Sequence, residues 1–273
     1  MKNKVLAKIR EFTTYSNVEL VSRGNSGLFA ALFVAKSCKD GVVLIPDQGG
    51  WFSYKKYPSI LGLEIVELKT KDGVIDIEDL KSKLELHSVS AIVYSNPAGY
   101  YASQPVSEIF ELCVDCKVIL DCSGGIGSRF CSGDYADIMF GSFGEWKPVD
   151  LGYGGFVSCK FDEDFALMKD LFTMMPFSPL DISLSKLWSK LLVLDERYAL
   201  FDYHQKKIKN DLIGFNVLHR EKDGINVVVS FDLDNEKNEI IKYCNENNYQ
   251  YTLCPRYIRV KRKAISIEVK RCS

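Results

Sequence analysis

Short runs of β-branched residues alternate with helical patterns through the first 160 residues, and this alternation limits the possible folds more than any other feature. A βαβα order predicts a mostly parallel sheet with helices on both faces, which is an α/β fold. The strand-like runs are residues 41–46, 64–68, 91–95, 117–121, 136–142 and 155–159. The helical patterns between them are residues 27–38, 50–61, 76–86 and 105–113.

The pattern changes after residue 160. Helical stretches at 164–175 and 181–210 lead into a strand-like run at 227–233, and the chain ends with a helix at 235–247 and a hairpin at 249–260 and 264–269. This order is typical of a smaller α+β unit. The sequence therefore predicts a large domain over residues 1–160 and a small C-terminal α+β domain over residues 161–273.

Charge and hydropathy narrow the classes of partner. The formal net charge is −1, so the chain as a whole carries no electrostatic attraction to nucleic acid or to an anionic membrane. Its apolar runs are far shorter than the roughly 20 residues that a membrane span requires. Residues 1–12 lack the apolar stretch of a signal peptide, which predicts a cytoplasmic location. A small-molecule substrate is the favoured partner.

The nine cysteines are predicted to be reduced and mostly structural, since several lie within apolar runs where cysteine behaves as a small hydrophobic residue. Cys113 and Cys116 form a CxxC pair, which is compatible with a redox pair or half of a zinc site. The three histidines are isolated and no second CxxC exists. We therefore predict no metal site.

Ligands of open α/β sheets bind at the carboxyl ends of the strands, where three segments carry suitable chemistry. The first is the Ser22–Gly27 stretch, in which Gly24, Asn25 and Ser26 lead directly into a helical pattern. Backbone N–H groups at a helix start, together with the positive end of the helix dipole, form a seat for phosphate. An ordinary turn with an N-cap would use the same residues.

The other two segments supply a carboxylate and an amine. Asp121 ends an apolar strand-like run, and burial of its charge requires a cationic or hydrogen-bonding partner unless it merely caps the next loop. Lys147 follows the next strand beside Trp146, where loss of solvent would suit a Schiff-base lysine. A surface position is the alternative for Lys147.

A phosphate seat, an acidic strand end and a lysine after the next strand are the three groups that pyridoxal phosphate (PLP) requires. Residues 22–160 resemble the large domain of fold-type I PLP enzymes, the aspartate aminotransferase superfamily, and most nearly its sugar aminotransferase branch. The matching pattern consists of Asp121, Gly133-Asp134, the apolar strand 138–140, Ser142-Phe143, Lys147 and Gly154-Gly155.

This resemblance implies roles for individual residues. Lys147 would form the internal aldimine, and Asp121 would pair with the pyridinium nitrogen. The phosphate would be held by Ser142 with Asn25, Ser26 and the surrounding amides, including that of Gly24. Trp51 would stack on the cofactor ring or, equally, pack in the core of the protein, and Asn96 would lie near the phenolic oxygen of the cofactor. Arg256 and Arg259 would bind a substrate carboxylate or, alternatively, be solvated residues of a basic hairpin.

The resemblance also implies an activity. The first hypothesis is a cytoplasmic PLP-dependent aminotransferase that acts on a small amino compound as a homodimer with a shared active site. The same cofactor also serves decarboxylation, β-elimination and sulfur transfer, so a lyase, a decarboxylase or a sulfur-transfer enzyme is the second hypothesis. A non-catalytic binding protein that retains the fold is the third.

Overall fold

The computed structural model describes residues 1–178 and 182–272, which contain two main β-sheets with helices packed around them. The strands are β1 Asn17–Val21, β2 Val42–Pro46, β3 Ile65–Leu68, β4 Thr70–Lys71, β5 Val74–Ile75, β6 Val89–Ser95, β7 Lys117–Asp121, β8 Ile138–Ser142, β9 Gly155–Cys159, β10 Asn216–Val217, β11 Val227–Ser230, β12 Tyr251–Cys254 and β13 Ala264–Ile267. The α-helices are α1 Lys2–Thr13, α2 Gly24–Cys38, α3 Tyr57–Ile60, α4 Ile77–Leu86, α5 Val106–Leu112, α6 Asp162–Met174, α7 Leu184–Leu192, α8 Leu194–Asp211 and α9 Asp234–Glu246.

The large sheet has seven strands in the order β1-β9-β8-β7-β6-β2-β3. The five strands from β8 to β3 are parallel, whereas β9 runs antiparallel to β8, and β1 runs antiparallel to β9. The predicted α/β class with a mostly parallel sheet is confirmed. Parallel strands direct their carboxyl ends to one edge, so β6, β7 and β8 bring their following loops together.

Side chains on successive strand residues enter two separate cores, one on each face of this sheet. In β7, Val118 and Leu120 join the core shared with α1, α4, α5, α7 and α8, while Ile119 joins the core shared with α2 and α6. This alternation follows from the two-residue period of a strand. It explains why the central strands are apolar throughout, since neither face meets water.

The second sheet is antiparallel, in the order β10-β11-β13-β12, and α9 packs against it. The pairing of β12 with β13 forms the predicted terminal hairpin. The single helix predicted over 181–210 is wrong. The chain forms α7 and α8, which are separated at Val193, whose φ of −103° and ψ of 12° are not helical. Residue 181, where that helix was predicted to begin, lies outside the described residues.

Two further differences from the sequence pattern lie beside the cavity described below. Instead of one helix over residues 50–61, the chain forms a 3-10 turn at Phe52–Lys55 and the one-turn helix α3. Strand β1 was not predicted, because its five residues, Asn17–Val21, include two polar ones and their alternation is short. Among the helices of the described residues, none is both long enough and apolar enough to cross a membrane.

Candidate active site

The carboxyl ends of β7 and β8, the start of α2 and the loop after β6 surround one cavity of about 390 Å³. Six of the residues predicted for the site line this cavity, namely Gly24, Asn25, Trp51, Asp121, Ser142 and Lys147. These residues are separated by up to 123 positions in the sequence (147 − 24) and meet only because the parallel strands end at the same edge. The structure thus brings the three predicted chemical segments to one place.

One end of the cavity is formed by the first turn of α2 and by Ser142. A Cβ atom at Gly24 would lie 2.8 Å from the Cβ of Ser142, so only glycine allows the helix to begin this close to the end of β8. The Ser142 hydroxyl accepts a hydrogen bond from the N–H of Gly144 at 3.1 Å. A helix N-terminus beside a serine hydroxyl is suited to an anion, because the N–H groups and the dipole both favour negative charge.

Asn25 connects this end to Trp51. The Asn25 Oδ1 accepts one hydrogen bond from Trp51 Nε1 and another from Ser53 Oγ, both at 3.1 Å. The amide NH2 group of Asn25 is then the part of the side chain that can donate to an anion. Trp51 is 37% exposed and lines the cavity, which excludes the alternative that it is an ordinary core residue.

Ser26 lies behind this surface rather than on it. It is 7% exposed, and its hydroxyl is 2.9 Å from the hydroxyl of Ser22, which does line the cavity. Any influence of the Ser26 side chain on a bound anion would therefore be transmitted through Ser22. Its role in holding phosphate stays a prediction.

Asp121 is the last residue of β7 and is 6% exposed. Its Oδ2 accepts a hydrogen bond from the hydroxyl of Tyr54 at 2.6 Å, and its Oδ1 accepts one from the N–H of Ser123 at 2.8 Å. Burial, together with the Asp121 charge, raises the pKa of Tyr54 well above its usual range, so the phenol keeps its proton and acts as a donor. These donors fix the orientation of the carboxylate and offset the cost of burying its charge.

Lys147 extends into the cavity between two aromatic side chains. Its Nζ donates a hydrogen bond to the hydroxyl of Tyr100 and lies 4.6 Å from the centroid of the Tyr100 ring and 5.5 Å from that of the Trp51 ring. The preceding residue, Trp146, has φ of 63°, a left-handed conformation that is strained for a bulky side chain. The N–H of Trp146 donates to Asp150 Oδ2 at 3.1 Å, which helps to hold this turn.

Asn96 is not among the described residues that line the cavity. Its Nδ2 donates to the carbonyl of Phe130 at 3.1 Å, and its Oδ1 accepts from the N–H of Gln104 at 3.0 Å. The side chain therefore joins two loops. Both polar atoms of Asn96 thus bind backbone groups, and its role near the phenolic oxygen stays a prediction.

Arg256 and Arg259, which were predicted to bind a substrate carboxylate, are also not among the described residues that line the cavity. Arg256 is exposed. Arg259 is 3% exposed and binds Glu268 through two nitrogens, with Nη2 at 2.8 Å from Oε2 and Nε at 3.1 Å from Oε1. The guanidinium is matched by a carboxylate of this chain, so the expectation that Arg259 receives a substrate carboxylate is not supported.

Lys270 joins this buried pair and leaves it with one surplus positive charge. Burial raises the pKa of Glu268, but the charges of Arg259 and Lys270 lower it further, so the net pKa lies well below the usual range. Burial and the charge of Arg259 lower the pKa of Lys270 to about 7, although its Nζ contacts Glu268. Since Arg259 already balances Glu268, Lys270 is the group that gives up its proton.

This lowered pKa predicts that the stability of the fold depends on pH. Between pH 7 and 10.5 the unfolded chain keeps the Lys270 proton, whereas the folded chain has lost it. The free energy of unfolding should therefore rise with pH over this range, by at most about 1.4 kcal/mol per pH unit from this group. Urea denaturation of the parent and of Lys270→Met at several pH values isolates the contribution. Equal slopes in the two proteins would contradict the assignment.

Several residues of the site were not predicted from the sequence. Ser123 was detectable, since it follows Asp121 directly, and its hydroxyl accepts from the N–H of Ser142 at 2.9 Å. Arg23, Glu145 and Tyr153 line the cavity as neighbours of predicted segments. Tyr54 and Tyr100 had no signal in the sequence, because their importance depends on contacts with residues 67 and 47 positions away.

The fold and this constellation of residues define the chain as a member of the PLP-dependent transferase class of fold type I. The chain belongs to the DegT/DnrJ/EryC1/StrS aminotransferase family, whose profile matches residues 3–176. Residues 193–273 match a second family, described as the MJ1341 family C-terminal domain. The three cavity segments, which carry Gly24, Asp121 and Lys147, all fall within the first match.

Solved structures share this fold at low sequence identity. A DegT/DnrJ/EryC1/StrS aminotransferase from Brucella abortus superposes with a TM-score of 0.74 at 13% identity, over 100% of this chain and 86% of that chain. 3-Amino-5-hydroxybenzoic acid synthase gives a TM-score of 0.73 at 14% identity, over 98% and 85% of the two chains. A variant serine palmitoyltransferase from S. paucimobilis, with a bound PLP–myriocin aldimine, gives 0.72 at 14% identity, over 100% and 72%.

Among curated proteins, a "probable glycine dehydrogenase (decarboxylating) subunit 2" from Thermotoga maritima is 33% identical over 113 residues. A protein of the same name from Thermotoga petrophila matches to the same extent. The match covers 41% of this chain and 21% of each relative, so the chain spans about a fifth of the length of these curated relatives.

Proposed function

We propose that this chain is a PLP-dependent aminotransferase that acts on a small amino compound. The observation that supports this most strongly is that Lys147, Asp121 and the N-terminus of α2 line one cavity. An amine, a carboxylate and an anion seat are the three protein groups that PLP needs. The described residues therefore fit the cofactor.

Each part of the cofactor has a counterpart in the cavity. The phosphate would be held by the first turn of α2 with the hydroxyls of Ser142 and Ser22 and the amide of Asn25. The ring nitrogen would be paired with Asp121, which Tyr54 and Ser123 keep oriented. Trp51 would cover the ring from the exposed side.

When bound, PLP supplies an aldehyde that joins amines covalently and a protonated ring that accepts negative charge. The residues of this chain control where protons reside. Asp121 would keep the ring nitrogen protonated through its negative charge. Lys147, once displaced by the substrate amine, would carry the proton that moves at the reacting carbon, since its Nζ is the amine within the cavity.

The proposal is tested by borohydride reduction of the PLP-loaded protein followed by peptide mapping. The expected result is a label on Lys147 and stoichiometric exchange of an amino group with a keto-acid acceptor in a substrate screen. A label on Lys36, Lys55 or Lys160 would contradict the site. Cofactor bound tightly without any reaction toward a broad panel of amines would favour a non-catalytic binding protein instead.

Asp121→Asn should lower the rate of amino transfer while leaving the fold intact. Without the carboxylate, the cationic ring nitrogen loses its buried partner, at a cost of about 3–5 kcal/mol, or about two to four powers of ten in kcat/KM. Steady-state kinetics on the PLP-loaded protein measures the loss. Asp170→Asn, which changes an exposed carboxylate of α6, is the control and should keep the parent rate. A fall of less than about threefold in the Asp121 variant would exclude its pairing with the ring.

A second reaction is supported by one observation, the similarity to the glycine dehydrogenase (decarboxylating) subunits. The same cavity would then release CO2 from an amino acid rather than transfer its amino group, since one electron-accepting ring serves both reactions. Incubation with carboxyl-labelled glycine distinguishes the two. Labelled CO2 without any keto-acid product would favour decarboxylation over amino transfer.

We also propose that the protein is a homodimer, that it is cytoplasmic and that its chain is divided into two domains. A homodimer is supported by exposed aromatic side chains at the edge of the cavity, namely Trp51, Phe52, Trp146 and Tyr153, and analytical ultracentrifugation measures it. A cytoplasmic location is supported by nine free cysteines, since thiols stay reduced there, and subcellular fractionation tests it. The domains 1–160 and 161–273 are supported by the two sheets, and limited proteolysis tests the boundary.

A further inference from the structure

We propose that Tyr100 is a positioning residue that holds the amine of Lys147 whenever this amine is not joined to the cofactor. The inference rests on the proposed function and assigns a role to a residue that the sequence pattern did not indicate. The hydroxyl of Tyr100 receives the hydrogen bond that Lys147 Nζ donates, and the Tyr100 ring lines the same cavity. The amine released from the cofactor would therefore return to a defined place.

The ring of Tyr100 lies against the loop that follows Asp121. A Cβ atom at Gly124 would lie 2.8 Å and 3.0 Å from the Cδ1 and Cε1 atoms of Tyr100. Any other residue at position 124 would push the ring away, and the hydroxyl would move with it. Glycine at this position is thus the condition for the contact between Tyr100 and Lys147.

The backbone of Tyr100 shows that its position is imposed by its surroundings. Its φ of 73° lies in the left-handed region, which is unfavourable for a bulky residue. Two backbone hydrogen bonds hold it there, from its N–H to the carbonyl of Pro97 at 3.2 Å and from the N–H of Ile225 to its carbonyl at 2.7 Å. Strained residues of this kind occur where a side chain must be placed for function.

Two basic side chains approach the same ring from the C-terminal part of the chain. The Cζ of Arg259 is 4.8 Å from the ring centroid and the Nζ of Lys270 is 4.9 Å from it. Cations at this distance are attracted to an aromatic face. The buried group of Arg259, Glu268 and Lys270 therefore anchors the ring whose hydroxyl meets Lys147. Through this contact, Arg259, Glu268 and Lys270 influence the site although they do not line the cavity.

Tyr100→Phe tests the proposal, because it removes the hydroxyl and keeps the ring. In the cofactor-free protein, acetic anhydride should modify Lys147 about 10-fold faster than in the parent, since the hydroxyl that holds the amine in place is gone. In the PLP-loaded protein, the concentration of L-alanine that displaces Lys147, followed by visible absorption, should rise about 10- to 100-fold. The released amine has then lost its partner.

Gly124→Ala provides a second variant with the phenol intact and should shift both measurements in the same direction. Tyr203→Phe, which removes an exposed hydroxyl of α8, is the control and should leave both unchanged. The proposal would be overturned if Tyr100→Phe showed the same rate of Lys147 labelling as the parent and required the same concentration of L-alanine to displace Lys147. If the parent itself forms no covalent link to PLP, the proposed function fails, and the labelling of the cofactor-free protein alone decides the role of Tyr100.

Discussion

Lys147→Ala should abolish amino transfer, with a loss of at least about a thousandfold in kcat/KM, because the variant lacks the group that moves the proton. The side chain lies between Trp51 and Tyr100, and alanine leaves that space without an amine. The variant should still bind PLP through the N-terminus of α2 and Asp121, but without a covalent link. Steady-state kinetics measures the loss of amino transfer. The amount of cofactor that stays with the protein after borohydride reduction, denaturation and gel filtration measures the loss of the covalent link.

Two companion variants sharpen this experiment. Lys147→Arg keeps the positive charge but not the primary amine, so it should be as inactive as the alanine variant. Lys56→Ala removes an exposed lysine of the segment before α3 and should keep the parent rate and the covalent link. If Lys147→Ala turned over substrate as fast as the parent, the assignment of the cavity would be refuted.

Glu268→Gln should destabilise the folded chain by about 3–5 kcal/mol, because it leaves the buried Arg259 charge without its counter-ion. The carboxylate is fully buried and accepts from Arg259 at 2.8 Å and 3.0 Å and from Asn226 at 3.1 Å. Lys270 can lose its proton, but the guanidinium of Arg259 cannot. Urea denaturation at neutral pH, monitored by tryptophan fluorescence, measures the change in the free energy of unfolding.

The matched control is Glu246→Gln at the end of α9. Its carboxylate is 3.8 Å from Lys242 Nζ and both side chains are exposed, so the change should cost about 1 kcal/mol or less. Combining Glu268→Gln with Arg259→Met and Lys270→Met should recover stability, because no unpaired charge then remains buried. A Glu268→Gln protein as stable as the control variant would show that the cluster carries no net burial cost.

The loss of Glu268 would also affect the cavity. The ring of Tyr100 contacts Arg259, Lys270 and Lys147. Movement of the Arg259 and Lys270 side chains would therefore shift the hydroxyl that Lys147 Nζ contacts. The destabilised variant should consequently show faster acylation of Lys147 than the Glu246 control when both are fully folded in the absence of urea.

Local sequence patterns were sufficient for the features that depend on neighbours along the chain. Short apolar, β-branched runs identified β6, β7, β8 and β9, and the helical pattern at 76–86 identified α4. The side chain of Asp76 caps that helix by accepting from the N–H groups of Glu78 and Asp79. The position of Asp121 at the end of an apolar strand also placed it at the carboxyl edge of the sheet. The break at Val193 was invisible, because the helical periodicity continues across it.

The sequence by itself determined the α/β class, the three cavity segments and the type of chemistry, because apolar runs, helical patterns and the residues beside them, Gly24, Asp121 and Lys147, can each be read from neighbours along the chain. Only the tertiary structure decided which side chains surround these groups. The phenol of Tyr54 on Asp121, the phenol of Tyr100 on Lys147 and the pairing of Arg259 with Glu268 are contacts set by packing. Packing depends on how whole elements are arranged in space, and no short pattern in the chain records that arrangement.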